Sequence, residues 1–116
     1  MRHMAKTSTN TSGQETFDLE LRRGVIVLAV LSQLHAEQYG YSLKKALAEG
    51  GLEVDEGTLY PLLRRLESQG LLESQWRMEE ARPRRYYCLS TEGKKAQRAL
   101  AIHWRSLVKA MDQLLD

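Results

Sequence analysis

Apolar positions recur along the chain with different periods, and the changes of period divide it into elements. Wound at about 100° per residue, the stretch "GTLYPLLRRLESQGLL", residues 57–72, puts Leu59, Leu62, Leu63 and Leu66 on one face. Tyr60, Pro61, Arg64, Arg65 and Ser68 fall on the opposite arc. The spacing predicts a helix over residues 55–69, closed by Gly70 just past its end. Asp55 and Thr58 both qualify as its N-cap. If Asp55 caps, Pro61 removes an amide hydrogen bond inside the helix; if Thr58 caps, the proline sits in the first turn.

Upstream, "LELRRGVIVLAVLSQLH", residues 19–35, is apolar nearly all the way round, with Leu21, Val25 and Leu28 on one side and Val27, Val30 and Leu34 on another. Its length, and Asp18 in the position of a cap, favour a helix over a buried strand. A small domain has little interior to cover both sides, which points to a second chain. Between these two helices, "QYGYSLKKALAEGG" predicts a short helix with a Tyr41, Leu43, Leu47 stripe, stopped by Gly50 and Gly51.

After Gly70 the period changes. "LLESQWR" and "RRYYCL" alternate and read as a two-stranded hairpin, with "MEEARP" forming a long tip. The alternation turns Tyr87 and Leu89 inward and would pair Trp76 with Tyr86 across the other face. Ser90 caps a final helix reaching about Leu115, whose stripe is Ala96, Leu100, His103, Trp104, Leu107, Val108, Met111, Leu114 and Leu115. Residues 1–17 are rich in Thr, Ser and Asn with little apolar content and are expected to form a flexible arm.

Composition adds mainly exclusions. With 116 residues, 42% hydrophobic and 28% charged, the chain suits one globular domain. No apolar run approaches the 18 or so residues that span a bilayer, and the first residues lack a secretory leader's apolar core, so a cytoplasmic protein is expected. The single cysteine, Cys88, forbids an internal disulfide and reads as a small strand residue. His3, His35 and His103 are far apart, and neither a metal nor a cofactor is implied. Ser, His and carboxylates do not cluster at a catalytic spacing, so no enzyme is expected.

A net charge of +2 says little about partners, but its placement says more. Arg64, Arg65, Arg77, Arg82, Arg84 and Arg85 crowd one segment, interleaved with Glu67, Glu73, Glu79 and Glu80. Three helices followed by a hairpin is the order of a winged helix-turn-helix, a mainly α fold with a β-hairpin wing, whose third helix enters the DNA major groove. In that frame residues 18–90 form the DNA-binding unit. Arg64 and Arg65 reach phosphates or guanine edges, and Thr58 and Tyr60, with Pro61 beside them, lie on the outward arc near the helix N-terminus. Arg82, Arg84 and Arg85 sit on the wing for backbone phosphates, although Arg84 or Arg85 pairing with Glu73 is the competing use. A winged helix serving as a protein-interaction module, its basic face meeting an acidic partner, is the alternative function.

The final helix, about 25 residues and so some 37 Å long, is long enough to cross onto another subunit. Its stripe would be a large exposed patch on a lone chain, so residues 91–116 are expected to dimerise through Leu100, Trp104, Leu107, Val108, Met111, Leu114 and Leu115. Two-fold pairing then sets two recognition helices for half-sites about one DNA turn apart on a pseudo-palindromic operator.

"GYSLKKAL", "EGTLYPLLRRLESQGLLES" and "RRYYCLSTEGKKA" also resemble the core of the PadR family of bacterial transcriptional regulators, over residues 21 to about 110. The resemblance implies a dimeric repressor with a C-terminal dimerisation helix, often released from its operator by small aromatic or hydrophobic effectors. The single short C-terminal helix is similar to the smaller subgroup. Members of it that bind flat hydrophobic drugs use a tryptophan of this helix from each subunit. Trp104, eleven residues past the Thr91-Glu92-Gly93 turn, stands where that residue would be. By spacing alone, plain packing is the alternative use for it.

Overall fold

The computed structural model describes the backbone of residues 6–116 and the side chains from Gly13 onward. The elements run α1 (Lys6–Gln33), β1 (Gln38–Tyr39), α2 (Gly40–Glu49), α3 (Glu56–Ser68), β2 (Leu72–Glu79), β3 (Arg82–Leu89) and α4 (Thr91–Leu115). The fold is mainly helical with a small antiparallel sheet of order β1-β3-β2.

One core holds the three N-terminal helices and the root of the hairpin together. Ile26, Val30 and Leu31 of α1, with Leu34 just past its end, meet Leu43 and Leu47 of α2, Leu59, Leu62, Leu63 and Leu66 of α3, and Leu72, Tyr87 and Leu89 of the sheet, all buried. Every leucine assigned to the inner face of α3 is therefore inside. Full burial of a leucine contributes on the order of 2 kcal/mol, so this face seats the helix firmly.

The N-cap of α3 is Asp55, whose carboxylate accepts the Thr58 amide at 2.9 Å. Pro61 consequently lies within the helix, on its exposed side. Gly70, with φ of 84°, closes α3, and the Leu71 amide returns to the Leu66 carbonyl. The same chain reversal anchors α4. Ser90 Oγ accepts the Gly93 amide and donates to the Gly70 carbonyl.

Several expectations are corrected. Asp18 does not cap α1, which begins at Lys6; it lies inside the helix and accepts from Gln14 Nε2 at 3.0 Å. Residues 6–17 of the expected arm are thus helical, while residues 1–5 lie outside the described residues. Once Ile26, Val30 and Leu31 anchor α1, extending it upstream adds a hydrogen bond per residue without a new nucleus. Tyr41 points outward, 62% exposed, rather than into the α2 stripe. Gln38 and Tyr39 add a third strand, facing Tyr87 and Tyr86.

The hairpin tip is not long. Its strands run through most of "MEEARP", and only Glu80 and Ala81 turn, with φ of 50° and 64°. Positive φ at both turn residues matches the twist of the flanking strands. Trp76 faces Arg85, and Tyr86 faces Gln75, so the expected Trp76–Tyr86 pair does not form. Tyr87 and Leu89 do turn inward.

Candidate nucleic-acid interface

The outer arc of α3 carries Thr58, Pro61, Arg64 and Arg65, all exposed, with Tyr60 half-buried beside them. Tyr60 lies against the start of α2, where its ring comes so close to Gly40 that any side chain at 40 would strike it. Burial raises the Tyr60 hydroxyl above its ordinary range, which keeps it a hydrogen-bond donor.

Two clefts flank this arc. On the wing side Arg64 shares a cleft with Tyr60, Tyr41, Trp76 and Arg82. On the α1 side Arg65 shares another with Thr58, Pro61 and Arg23. The two adjacent arginines of α3 therefore diverge, one toward the wing and one toward the first helix.

The wing arginines differ in how far they are committed. Arg85 lies on the inner face of the sheet, where Nη2 bonds Glu67 Oε1 at 2.9 Å and Nε bonds Ser74 Oγ at 3.1 Å. Ser74 donates in turn to the other Glu67 oxygen at 2.7 Å, closing a triad between α3 and the wing. Arg84, on the outer face, stacks over the Tyr39 ring at 4.6 Å and bonds Glu79 Oε1 at 3.3 Å. Glu79 also accepts the Tyr86 hydroxyl at 2.6 Å, a bond that pushes the phenol up in pKa. Arg77 pairs with Glu37 and stacks on Tyr86. Arg82 is exposed at the tip, and it, Arg64, Arg65 and Arg23 form no ion pair with a described residue.

Arg84 and Arg85 are thus held by Glu79 and Glu67 and not by Glu73, the acid weighed from the sequence. Alternation and spacing did not reveal these partners, because Glu67 sits on a helix and meets the strand only in three dimensions. Arg23 and Gly40 were also missed, since both lie inside elements read only for packing. Cys88 is partly buried, and that burial pushes its thiol up and keeps it protonated.

A helix seated by its inner face with free cations outward, beside an antiparallel wing, defines a winged helix-turn-helix of the DNA-binding class. Residues 27–99 match the model of the transcriptional regulator PadR-like family. Transcriptional regulator Rv3488 of Mycobacterium tuberculosis is 40% identical over 80 residues, which cover 66% of this chain and 73% of that one. A PadR family transcriptional regulator from Eggerthella lenta superposes with a TM-score of 0.82 at 43% identity, covering 94% of this chain and 97% of that one. A Streptococcus transcriptional regulator superposes with a TM-score of 0.75 at 30% identity, covering 83% and 97%. The chain belongs to the PadR-like family and is a DNA-binding transcriptional regulator, not an enzyme. Among the described residues, no helix is long and apolar enough to cross a membrane.

The other surface of interest is the seam of α1 and α4. Leu21, Leu100, Trp104, Leu107, Met111, Leu114 and Leu115 are all at least 40% exposed. Trp104 lines a crevice with Leu21, Val25, Leu28, Leu100 and Leu107. Near the C-terminal end of α1, Gln97 of α4 bonds Ser32 Oγ at 3.1 Å and His35 Nε2 at 3.2 Å.

Proposed function

We propose that the protein is a cytoplasmic homodimeric repressor that binds a pseudo-palindromic operator and is released by a small planar hydrophobic or aromatic effector held at the dimer interface. The observation that carries the DNA-contact assignment is the pair of exposed arginines on α3, Arg64 and Arg65, which form no ion pair with a described residue, beside a wing tip bearing Arg82. Thr58, Tyr60 and Pro61 complete the face offered to the major groove. Arg85 ties the wing to α3 through Glu67, Arg84 is paired within the wing through Glu79, and both line the same cleft.

The apolar stripe of α4 supports the dimer. A patch containing Leu100, Trp104, Leu107, Met111, Leu114 and Leu115 exceeds what soluble monomers ordinarily leave in water. Val108, half-buried on the same stripe, extends it. Two-fold pairing covers the stripe and sets the two α3 helices for successive half-sites.

A ligand beside Trp104 weakens DNA binding only if it favours a dimer whose α3 helices are wrongly spaced. The test is quenching of tryptophan fluorescence by planar aromatic compounds in wild type and in Trp104→Ala, with dimerisation checked by sedimentation. Quenching lost with Trp104 while the dimer persists supports the effector site. Quenching retained in the variant assigns it to Trp76 and removes the site.

A further inference from the structure

In the cleft on the α1 side of the recognition helix, Arg23 has no assigned role. The rim of that cleft carries Arg23 from α1 and Arg65 and Thr58 from α3, and its floor is Ile26, Val27 and Leu62. No carboxylate lines it. Glu20, one turn back on α1, makes no ion pair with Arg23, and Arg65 has no acid three or four residues away on its helix. Two guanidinium groups therefore share one apolar-floored cleft without a counter-charge from the described residues. Both arginines are exposed, so their guanidinium groups are open to an anion. Like charges gathered this way favour an anion from outside.

The direction of the cleft identifies that anion. Thr58 and Arg65 belong to the helix that enters the major groove, so an anion bridging from them to α1 lies at the groove edge, where the backbone phosphates run. On α1, Arg23 projects from the face opposite Leu21, Val25 and Leu28, which line the crevice shared with α4, so α1 stands between the cleft and that crevice. The α1 side of α3 is therefore the side nearer the apolar seam.

We propose that Arg23, with Arg65, binds backbone phosphates on the inner side of each half-site, between the two recognition helices, while Arg64 and Arg82 take the outer phosphates. The inference rests on the dimeric DNA-binding reading and adds a binding residue on α1 together with a polarity for the half-site. A guanidinium offers a planar fork of donors that suits a phosphate, and its exposed position leaves it free to do so.

The test compares the full-length wild type with Arg23→Gln, after circular dichroism and sedimentation confirm the same fold and assembly. Binding to a mixed-sequence 40-base-pair duplex is followed by fluorescence anisotropy across a salt series. Losing one phosphate contact per protomer reduces the slope of log K against log[salt] by about 1.8 per dimer. Phosphate-ethylation interference on a duplex selected by the wild type then locates the loss. The expected result is that one central phosphate per half-site ceases to interfere in Arg23→Gln while the outer ones still do. An unchanged slope, or a loss confined to the outer phosphates, overturns the proposal and leaves the DNA-binding reading standing. A wild type with no salt-dependent affinity for any duplex overturns both.

Discussion

Arg85 of the wing and Glu67 of the recognition helix lie 2.9 Å apart, and Ser74 bonds both. Glu67 follows Arg64 by one turn and is the acid on α3 able to quench it. By engaging both Glu67 oxygens, the wing leaves Arg64 available and fixes the width of the cleft between helix and hairpin. The pair is about one third exposed, so it contributes less than about 1 kcal/mol to stability, and its importance is geometric.

That relationship predicts a charge-swap result. Arg85→Glu alone should weaken duplex binding by on the order of tenfold, because it sets two carboxylates against each other and frees Glu67 toward Arg64. Adding Glu67→Arg should restore most of the loss. Titration of both variants by electrophoretic shift checks this, and a double variant as weak as the single one would mean that Arg85 touches DNA itself.

Asp55 sets the start of α3. Hydrogen bonds from Thr58, hydroxyl and amide, hold its carboxyl below the ordinary aspartate range. A pKa depressed by folding contributes stability that is present above the unfolded value and lost as pH falls through the folded one. Asp55→Ala should therefore lower the melting temperature at neutral pH by on the order of 5 °C. The gap between the two proteins should close below the ordinary aspartate range. Calorimetry across pH 2 to 7 measures it.

Gly93 is buried where α4 meets the end of α3. A Cβ there would lie 1.9 Å from the Leu71 carbonyl oxygen, which is backbone and itself accepts the Ser90 amide. Gly93→Ala should cost about 1 to 3 kcal/mol in urea denaturation, by overpacking. Gly40→Ala meets the Tyr60 side chain instead, so it should cost less stability and more DNA affinity, since the ring can swing into the wing cleft.

The parts of this architecture that were legible in the sequence are those with a period. The leucines of α3, the Gly70 stop and the Ser90 start of α4 each follow from local chemistry, whereas the choice between Asp55 and Thr58 as the cap of α3 was settled only by the structure. The two residues of β1 are too few to alternate, and they become a strand only because β3 offers them an edge. The hairpin tip was misjudged because Glu80 and Ala81 adopt positive φ without the glycine or asparagine that usually announces it. At the interface, the arginines could be counted from the sequence, but which of them were already paired could not. Glu67 and Arg85 are 18 residues apart, and only packing of α3 on the wing brings them together.

The central claim is that free cations on and beside α3 hold duplex DNA in two symmetric halves. Its most direct test is the salt dependence of duplex binding by the wild type, with Arg64→Ala in parallel. For about eight phosphate contacts per dimer, log K against log[salt] should slope near −7, and Arg64→Ala should weaken binding by about 1 to 3 kcal/mol at low salt. A flat salt response, or wild-type affinity in Arg64→Ala, would contradict the account.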